Sequence, residues 1–256
     1  MVSRRLRISA LAVIASFAFA GVTRAADYFP PPPPVPDFAS GWYLRGYVGV
    51  GMNGPFGLDY ITTTNATLQQ TSNADTVFVG AGFGYEWNNW LRFDGTVEYR
   101  TKTRVNAFVT YPPNGIDFYE GNLSSWVLLA NAFVDLGTWS CFTPYVGFGI
   151  GGALNTLSNF YDINPNGGFG FGRNPSEWHL AYAFYAGVAY IVNSNFKIDL
   201  TYRYLNYGSI TDTVDCSVSC NHDVFKFRNL YSNDFMLGLR WTCCDVPPPP
   251  VLRSRG

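Results

Sequence analysis

The chain has 256 residues, of which 18% are aromatic and only 14% charged, with 26 glycines and a formal net charge of −1. A water-soluble domain carries nearer a quarter charged residues, so something other than water must cover part of this surface. No basic stripe or dense Lys/Arg patch is present, which excludes a nucleic-acid partner.

At the N-terminus, Arg4, Arg5 and Arg7 precede an apolar run from Ile8 to Ala20, and Thr23-Arg24-Ala25 offers small residues at the cleavage-site positions. This is the layout of a secretory signal peptide, residues 1–25. The run is shorter than the roughly 20 residues of a helical span, and no later stretch is long and apolar enough for one. Without the four arginines of this segment, 13 basic residues remain against 18 acidic ones, a net charge of −5. Residues 26–40 contain Pro30 to Pro34 and Pro36 and read as an extended periplasmic linker. A second run, Pro247 to Pro250, lies in a tail over 242–256, so the folded unit is bracketed at 41–241.

Between the brackets the dominant signal has period 2, the mark of a strand with two unlike faces. Trp42, Leu44, Val48, Val50 and Met52 oppose Tyr43, Arg45, Tyr47, Gly49 and Gly51. The same alternation recurs over Val77 to Trp87, Leu91 to Arg100, Trp126 to Leu136, Pro144 to Gly152, Trp178 to Tyr190, Lys197 to Tyr204 and Tyr231 to Trp241, giving eight strands. Long connections alternate with short ones: Asn88-Asn89, Gly137 to Thr143 and Val192 to Asn195 are short, whereas 101–125, 154–177 and 206–230 are long. That rhythm and an even strand count predict an all-β fold, an eight-stranded antiparallel up-and-down transmembrane β-barrel. Long loops would then face outward from a bacterial outer membrane, with both termini in the periplasm. The loops, rich in Asn, Thr, Ser and Gly, read as solvated segments without a ligand signature.

Aromatic residues fall at both strand ends, where amphipathic rings suit a membrane interface. Trp42, Trp87, Trp90, Tyr190 and Trp241 lie on the turn side, and Tyr99, Trp126, Trp178, Tyr182, Tyr202 and Tyr204 on the loop side. A soluble sandwich would need neither these two bands nor the loop rhythm. With the apolar face toward lipid, the lumen receives Arg45, Glu86, Arg92, Asp94, Glu98, Arg100, Asp135, Lys197, Asp199, Arg203, Asp234 and Arg240, six of each sign. A balanced set in so narrow a space predicts mutual pairing, since an unpaired charge there costs several kcal/mol. The crowding favours a polar plug over a narrow ion conduit. Gly80, Gly82, Gly84, Gly147, Gly149 and Gly151 either leave space or accommodate large neighbours such as Tyr43 and Tyr47.

Signs of an enzyme are weak. His179 has lumen-side parity and no Ser or acid at a spacing that implies a triad, so it reads as structural. No catalytic residue, metal or cofactor is expected, and an outer-membrane lipid A deacylase is the enzymatic alternative. His222 lies among Cys216, Cys220, Asn221 and Asp223, where two cysteines four apart in an oxidising compartment suit a small disulfide loop better than a metal. Cys141, Cys243 and Cys244 all fall on the turn side, so a bridge from Cys141 to either of the others would tie down the tail.

The stretches Gly41-Trp42-Tyr43-Leu44-Arg45-Gly46, Asp199-Leu200-Thr201-Tyr202-Arg203-Tyr204 and Asp234-Phe235-Met236-Leu237-Gly238-Leu239-Arg240-Trp241 resemble the porin-family surface proteins of rhizobial and related alphaproteobacteria. The resemblance implies insertion by the barrel-assembly machinery, contact with outer-membrane lipids and lipopolysaccharide, and roles in envelope integrity and surface interactions with host or other ligands. Haem binding in some members is a further implication. This chain departs from such barrels by continuing for fifteen residues past the closing Trp241.

Overall fold

The computed structural model describes residues 41–60, 67–111, 115–163, 165, 168–216 and 223–242. Residues 1–40, where a signal peptide and a proline-rich linker are expected, and the tail from Cys243 onward lie outside the described residues. Eleven strands are present among them: β1 (Trp42–Asn53), β2 (Gly57–Tyr60), β3 (Thr67–Asn73), β4 (Thr76–Glu86), β5 (Leu91–Tyr111), β6 (Gly115–Asp135), β7 (Phe142–Ile163), β8 (Phe169–Gly172), β9 (Ser176–Ile191), β10 (Phe196–Cys216) and β11 (Asp223–Thr242).

Eight of these close a ring in the order β1, β4, β5, β6, β7, β9, β10, β11, with β11 returning to β1 and every pair antiparallel. The three short strands ride on the far ends of the long ones. β2 pairs with β11, β3 pairs with β5, and β8 lies between β7 and β10.

Near the short turns the ring is apolar outside. Leu44, Val48, Val79, Leu200 and Leu237 are each about half exposed on the outer face. From Trp42 to Met52 a strand tilted by roughly 45° rises about 24 Å, the height of an outer-membrane apolar band. Within this belt the pleat sets large lumen-facing rings directly across from glycines: Tyr43 opposite Gly84, Tyr47 opposite Gly80, Phe133 opposite Gly147 and Tyr145 opposite Gly187. The rings of Tyr43 and Tyr47 occupy the space in which a Cβ at Gly84 and Gly80 would lie. The glycines therefore accommodate side chains rather than leave a void, as small and large residues must alternate inside so narrow a barrel.

The long connections differ from the sequence expectation. Most of 101–125, 154–177 and 206–230 is strand, so β5, β6, β7, β10 and β11 continue well past the belt. Four of these five strands change phase where they leave it. On β5 the inward set moves from Arg92, Asp94, Thr96, Glu98 and Arg100 to Thr103, Val105, Ala107 and Val109 across a bulge between Arg100 and Thr103. On β7 it moves from Asn155 and Leu157 to Phe160 and Asp162 around Asn159, at φ 52°. Gly208, at φ 91°, does the same between Tyr207 and Ile210 on β10, and Asn229, at φ 57°, between Phe227 and Leu230 on β11. Asparagine and glycine are the residues that enter this left-handed region most readily. Each bulge inserts one residue and exchanges the two faces of its strand.

Above the bulges the interior is mainly apolar, with the carboxyls of Asp117, Asp162 and Asp212 buried beside it. Tyr119, Phe160 and Phe225 pack with centroid distances of 4.9 to 6.2 Å, and Phe227 joins Phe160 at 5.5 Å and Phe56 at 5.2 Å. Leu58, Val109, Ile210 and Val214 complete this cap core. Outside, the cap carries the exposed charges Lys102, Arg104 and Arg228 together with the exposed apolar side chains Phe118, Ile163, Phe169 and Phe171.

Candidate functional site

The lumen of the belt contains the densest polar chemistry among the described residues, and strand register places it. Arg203 pairs across to Asp234, while Glu98 and Arg100 share the inward face of β5. Arg203 Nη2 lies 2.7 Å from Glu98 Oε1 and 2.6 Å from Asp234 Oδ2. Arg100 donates to both oxygens of Asp234 at 3.0 Å, to Ser232 Oγ at 2.9 Å and to Glu98 at 3.2 Å. Both guanidinium carbons sit over the Phe78 ring, at 4.8 and 5.0 Å. The fork geometry of arginine suits bidentate pairing, and the ring face adds cation–π attraction.

A second layer lies closer to the turns. Asp94 accepts from Arg45 Nη1 at 2.9 Å, from the Tyr43 hydroxyl at 2.9 Å and from Asn131 Nδ2 at 2.7 Å. The Tyr185 hydroxyl donates to Asn131 Oδ1 at 2.9 Å, so one chain of bonds crosses the lumen. Arg92 lies 4.1 Å from the Phe133 centroid and 4.6 Å from that of Tyr145, and pairs with Asp135 at 3.2 Å. Arg240 holds Asp199 at 2.8 Å, and Lys197 holds Glu86 at 2.9 Å.

All twelve sequence-selected charges thus have an opposite-sign neighbour. Nine are buried; Glu86, Asp135 and Lys197, nearest the turns, are partly exposed. Truncating one partner of such a set leaves its mate uncompensated, which is the physical reason the charges come in balanced groups. Between belt and cap, Asn155 is fully buried, accepts from Ser125 Oγ at 2.7 Å and donates to the carbonyls of Tyr207 and Ser209 at 2.8 and 3.1 Å. That polar rung ties β6, β7 and β10 together at the level where the faces exchange.

The eleven girdle residues all face outward, Tyr99 partly covered by the Trp126 ring at 4.9 Å. Trp42, Trp87, Trp90, Trp126, Trp178, Tyr190, Tyr202 and Trp241 are exposed, while Tyr182 and Tyr204 are partly covered, Tyr204 by the Tyr231 ring at 5.7 Å.

His179 has neighbours that its sequence spacing concealed. Its Nε2 lies 3.2 Å from Glu177 Oε2 and its Nδ1 3.4 Å from Ser209 Oγ, while the same Glu177 oxygen accepts the Thr211 backbone N–H at 2.9 Å. The arrangement braces β9 against the displaced upper part of β10, and the bulge at Gly208 is what brings Ser209 within reach. Cys141 is exposed in its turn and has no disulfide among the described residues. Cys216 ends β10, whereas Cys220, His222, Cys243 and Cys244 lie outside the described residues, and so do the pairings expected of them.

A closed eight-stranded ring with an apolar exterior and a charged, filled interior defines a transmembrane β-barrel. The chain belongs to the outer membrane protein beta-barrel domain family, whose model matches residues 11–242, and it is therefore an outer-membrane β-barrel protein of Gram-negative type. It is 32% identical over 200 residues to an uncharacterised protein of Brucella abortus, covering 68% of this chain and 70% of the relative. It is 28% identical over 224 residues to the outer membrane protein PagN of Salmonella typhimurium, covering 78% and 89%. Among solved structures, OprG of Pseudomonas aeruginosa shares the fold, with a TM-score of 0.54 and 14% identity over 80% of this chain and 96% of that one.

Proposed function

We propose that this is a non-conducting, non-enzymatic surface protein: the belt anchors it in the outer membrane, the cap is displayed outside, and both termini lie in the periplasm. Its roles are to stiffen the envelope and to offer the cap for surface interactions. Outer-membrane lipids and lipopolysaccharide are its lateral partners, and the barrel-assembly machinery inserts it. The observation that carries this reading is the double filling of the barrel axis, by ion-paired side chains in the belt and by an aromatic core in the cap. The orientation rests on the contrast between short turns at one end and cap-forming connections at the other, an asymmetry that such barrels arrange with the turns inside.

Reconstitution into planar bilayers tests the closure. The barrel should leave the membrane silent, and reproducible single-channel steps at neutral pH would contradict it. Protease added to intact cells should cut within the cap and spare the turns. Incubation with lipid A followed by mass analysis should show every acyl chain retained, which also tests Ser209, His179 and Glu177 as a brace rather than a relay.

A further inference from the structure

On the outer face of the cap, strand register lines up two parallel rows of side chains. Gln70, Phe108, Phe118 and Ile163 stand side by side across β3, β5, β6 and β7. One pleat nearer the belt stand Ser72, Asn106, Glu120 and Tyr161. The first row is largely apolar and the second is polar, and together they line a groove of about 350 Å³.

The apolar row is exposed and continues onto β8, where Phe169 stands opposite Ile163 and Phe171 opposite Tyr161, both exposed. Phe118 and Ile163 are each 50% exposed, and the Phe108 and Phe118 rings stack 5.1 Å apart at 29°. In the polar row, Glu120 lies 3.1 Å from Arg104 Nε and accepts the Tyr161 hydroxyl, a bond that holds the phenol protonated above its usual range. The carboxylate is thereby neutralised but keeps lone pairs to accept further hydrogen bonds.

From this juxtaposition we infer that the groove binds a neutral oligosaccharide laid across the strands. A sugar ring presents C–H groups on its face and hydroxyls on its edge. The two rows present stacked aromatic rings and, one step away, a hydroxyl, an amide and a carboxylate. Four strands span about 14 Å, the length of a short oligosaccharide rather than of a single ring. A purely apolar occupant would cover the polar row without pairing it, and unpaired polar groups oppose burial. The Arg104–Glu120 pair leaves the groove without net charge, which disfavours a sulfated or acidic glycan. The inference deepens the proposed surface role and rests on it only for biological meaning, because sugar binding is a property of the purified barrel.

The test uses the refolded full-length mature chain in a zwitterionic detergent that lacks a sugar headgroup. Cellotriose and chitotriose serve as neutral probes and a heparin-derived oligosaccharide as the anionic one, read by saturation-transfer NMR and titration. Neutral probes should bind with Kd in the millimolar range or tighter, Phe118→Ala should weaken them by at least about tenfold, and Phe118→Tyr should restore them. The inference fails if neither neutral probe receives saturation from the protein, if Phe118→Ala binds as well as wild type, or if the heparin probe binds better. It also fails if sedimentation shows a wild-type dimer that Phe118→Ala dissolves, which would give the row to a second copy of the chain. Protease cleavage of intact cells separates the two readings. A cap found inside the cell overturns the proposed orientation and leaves sugar binding standing, whereas an exposed cap that binds no sugar overturns this inference alone.

Discussion

Belt and cap are built from the same strands with opposite polarity. In the belt, β11 turns Phe235, Leu237 and Leu239 outward and Asp234 and Arg240 inward; in the cap it turns Phe225 and Phe227 inward and Lys226 and Arg228 outward. The solvent explains both. Lipid accepts apolar groups and rejects charge, so the belt hides its charges in the lumen; water does the reverse, so the cap turns the rings of Tyr119, Phe160, Phe225 and Phe227 inward. On four of the long strands the two regions need opposite phases, and the bulges on β5, β7, β10 and β11 supply the exchange. β6 keeps one phase from Asp117 to Phe133 and meets the change by setting Tyr119 and Leu123 in the cap against Asn131 in the belt. Two kinds of stability follow, one resting on paired charges and one on an ordinary hydrophobic core.

The sharpest way to separate them is to damage each interior. Asp234→Ala leaves Arg100 and Arg203 short of their shared partner and should destabilise the barrel by about 3–5 kcal/mol, read from urea unfolding in lipid vesicles. A loss below about 1 kcal/mol would mean that the cluster is solvated rather than buried.

The outer faces offer the next contrast. Leu237→Arg puts a charge in the apolar band and should cost about 2–4 kcal/mol near the midplane. Lys226→Leu on the cap exterior should change stability by less than about 0.5 kcal/mol in the same assay. Equal effects at the two positions would dissolve the distinction between the regions.

A smaller effect is expected at the hinge of the two phases. Asn229 holds φ 57°, and Asn229→Val should cost about 1–2 kcal/mol, since a β-branched residue is strained there. Hydrogen exchange should show the loss in the cap end of β11 before the belt.

The smallest concerns pH. Burial lifts the Asp212 carboxyl above the ordinary 3.8, although it accepts the backbone N–H groups of Arg173 and Thr213, and Asp215 stands near. A raised folded-state value means that protonation favours the folded cap. This contribution is complete below the ordinary value and is lost as pH rises through the folded one. Asp212→Asn should therefore flatten the pH dependence of cap exchange protection above about pH 4. Its cap should be at least as protected as the wild type's near neutrality, whereas an unchanged slope would place the effect elsewhere.

The eight ring strands were legible because each belt segment alternates over about ten residues in one phase, as Trp42 to Met52 does. The cap was not, and β11 shows why. Phe225 and Phe227 fall on odd numbers, Leu230, Asp234 and Met236 on even ones, so a strict period-2 reading loses phase at Asn229 and takes what precedes it for a loop. The available signal was an Asn or Gly joining two short alternations of opposite phase, as Gly208 also does between Tyr207 and Ile210. The lumen charges could be chosen by parity, but their partners depend on register and barrel closure. Arg203 reaches Glu98 on β5, across the lumen, a contact that no local spacing encodes.

Nitroxide scanning along β11 from Phe225 to Arg240 in lipid vesicles tests the exchange of polarity most directly. Probes at Phe235, Leu237 and Leu239 should collide readily with oxygen, and those at Lys226 and Arg228 with a water-soluble relaxation agent. Phe225 and Phe227 should be shielded from both, with the alternation shifting by one residue at Asn229. An alternation that runs unbroken through Asn229, or oxygen contact at Phe225 and Phe227, would contradict the account.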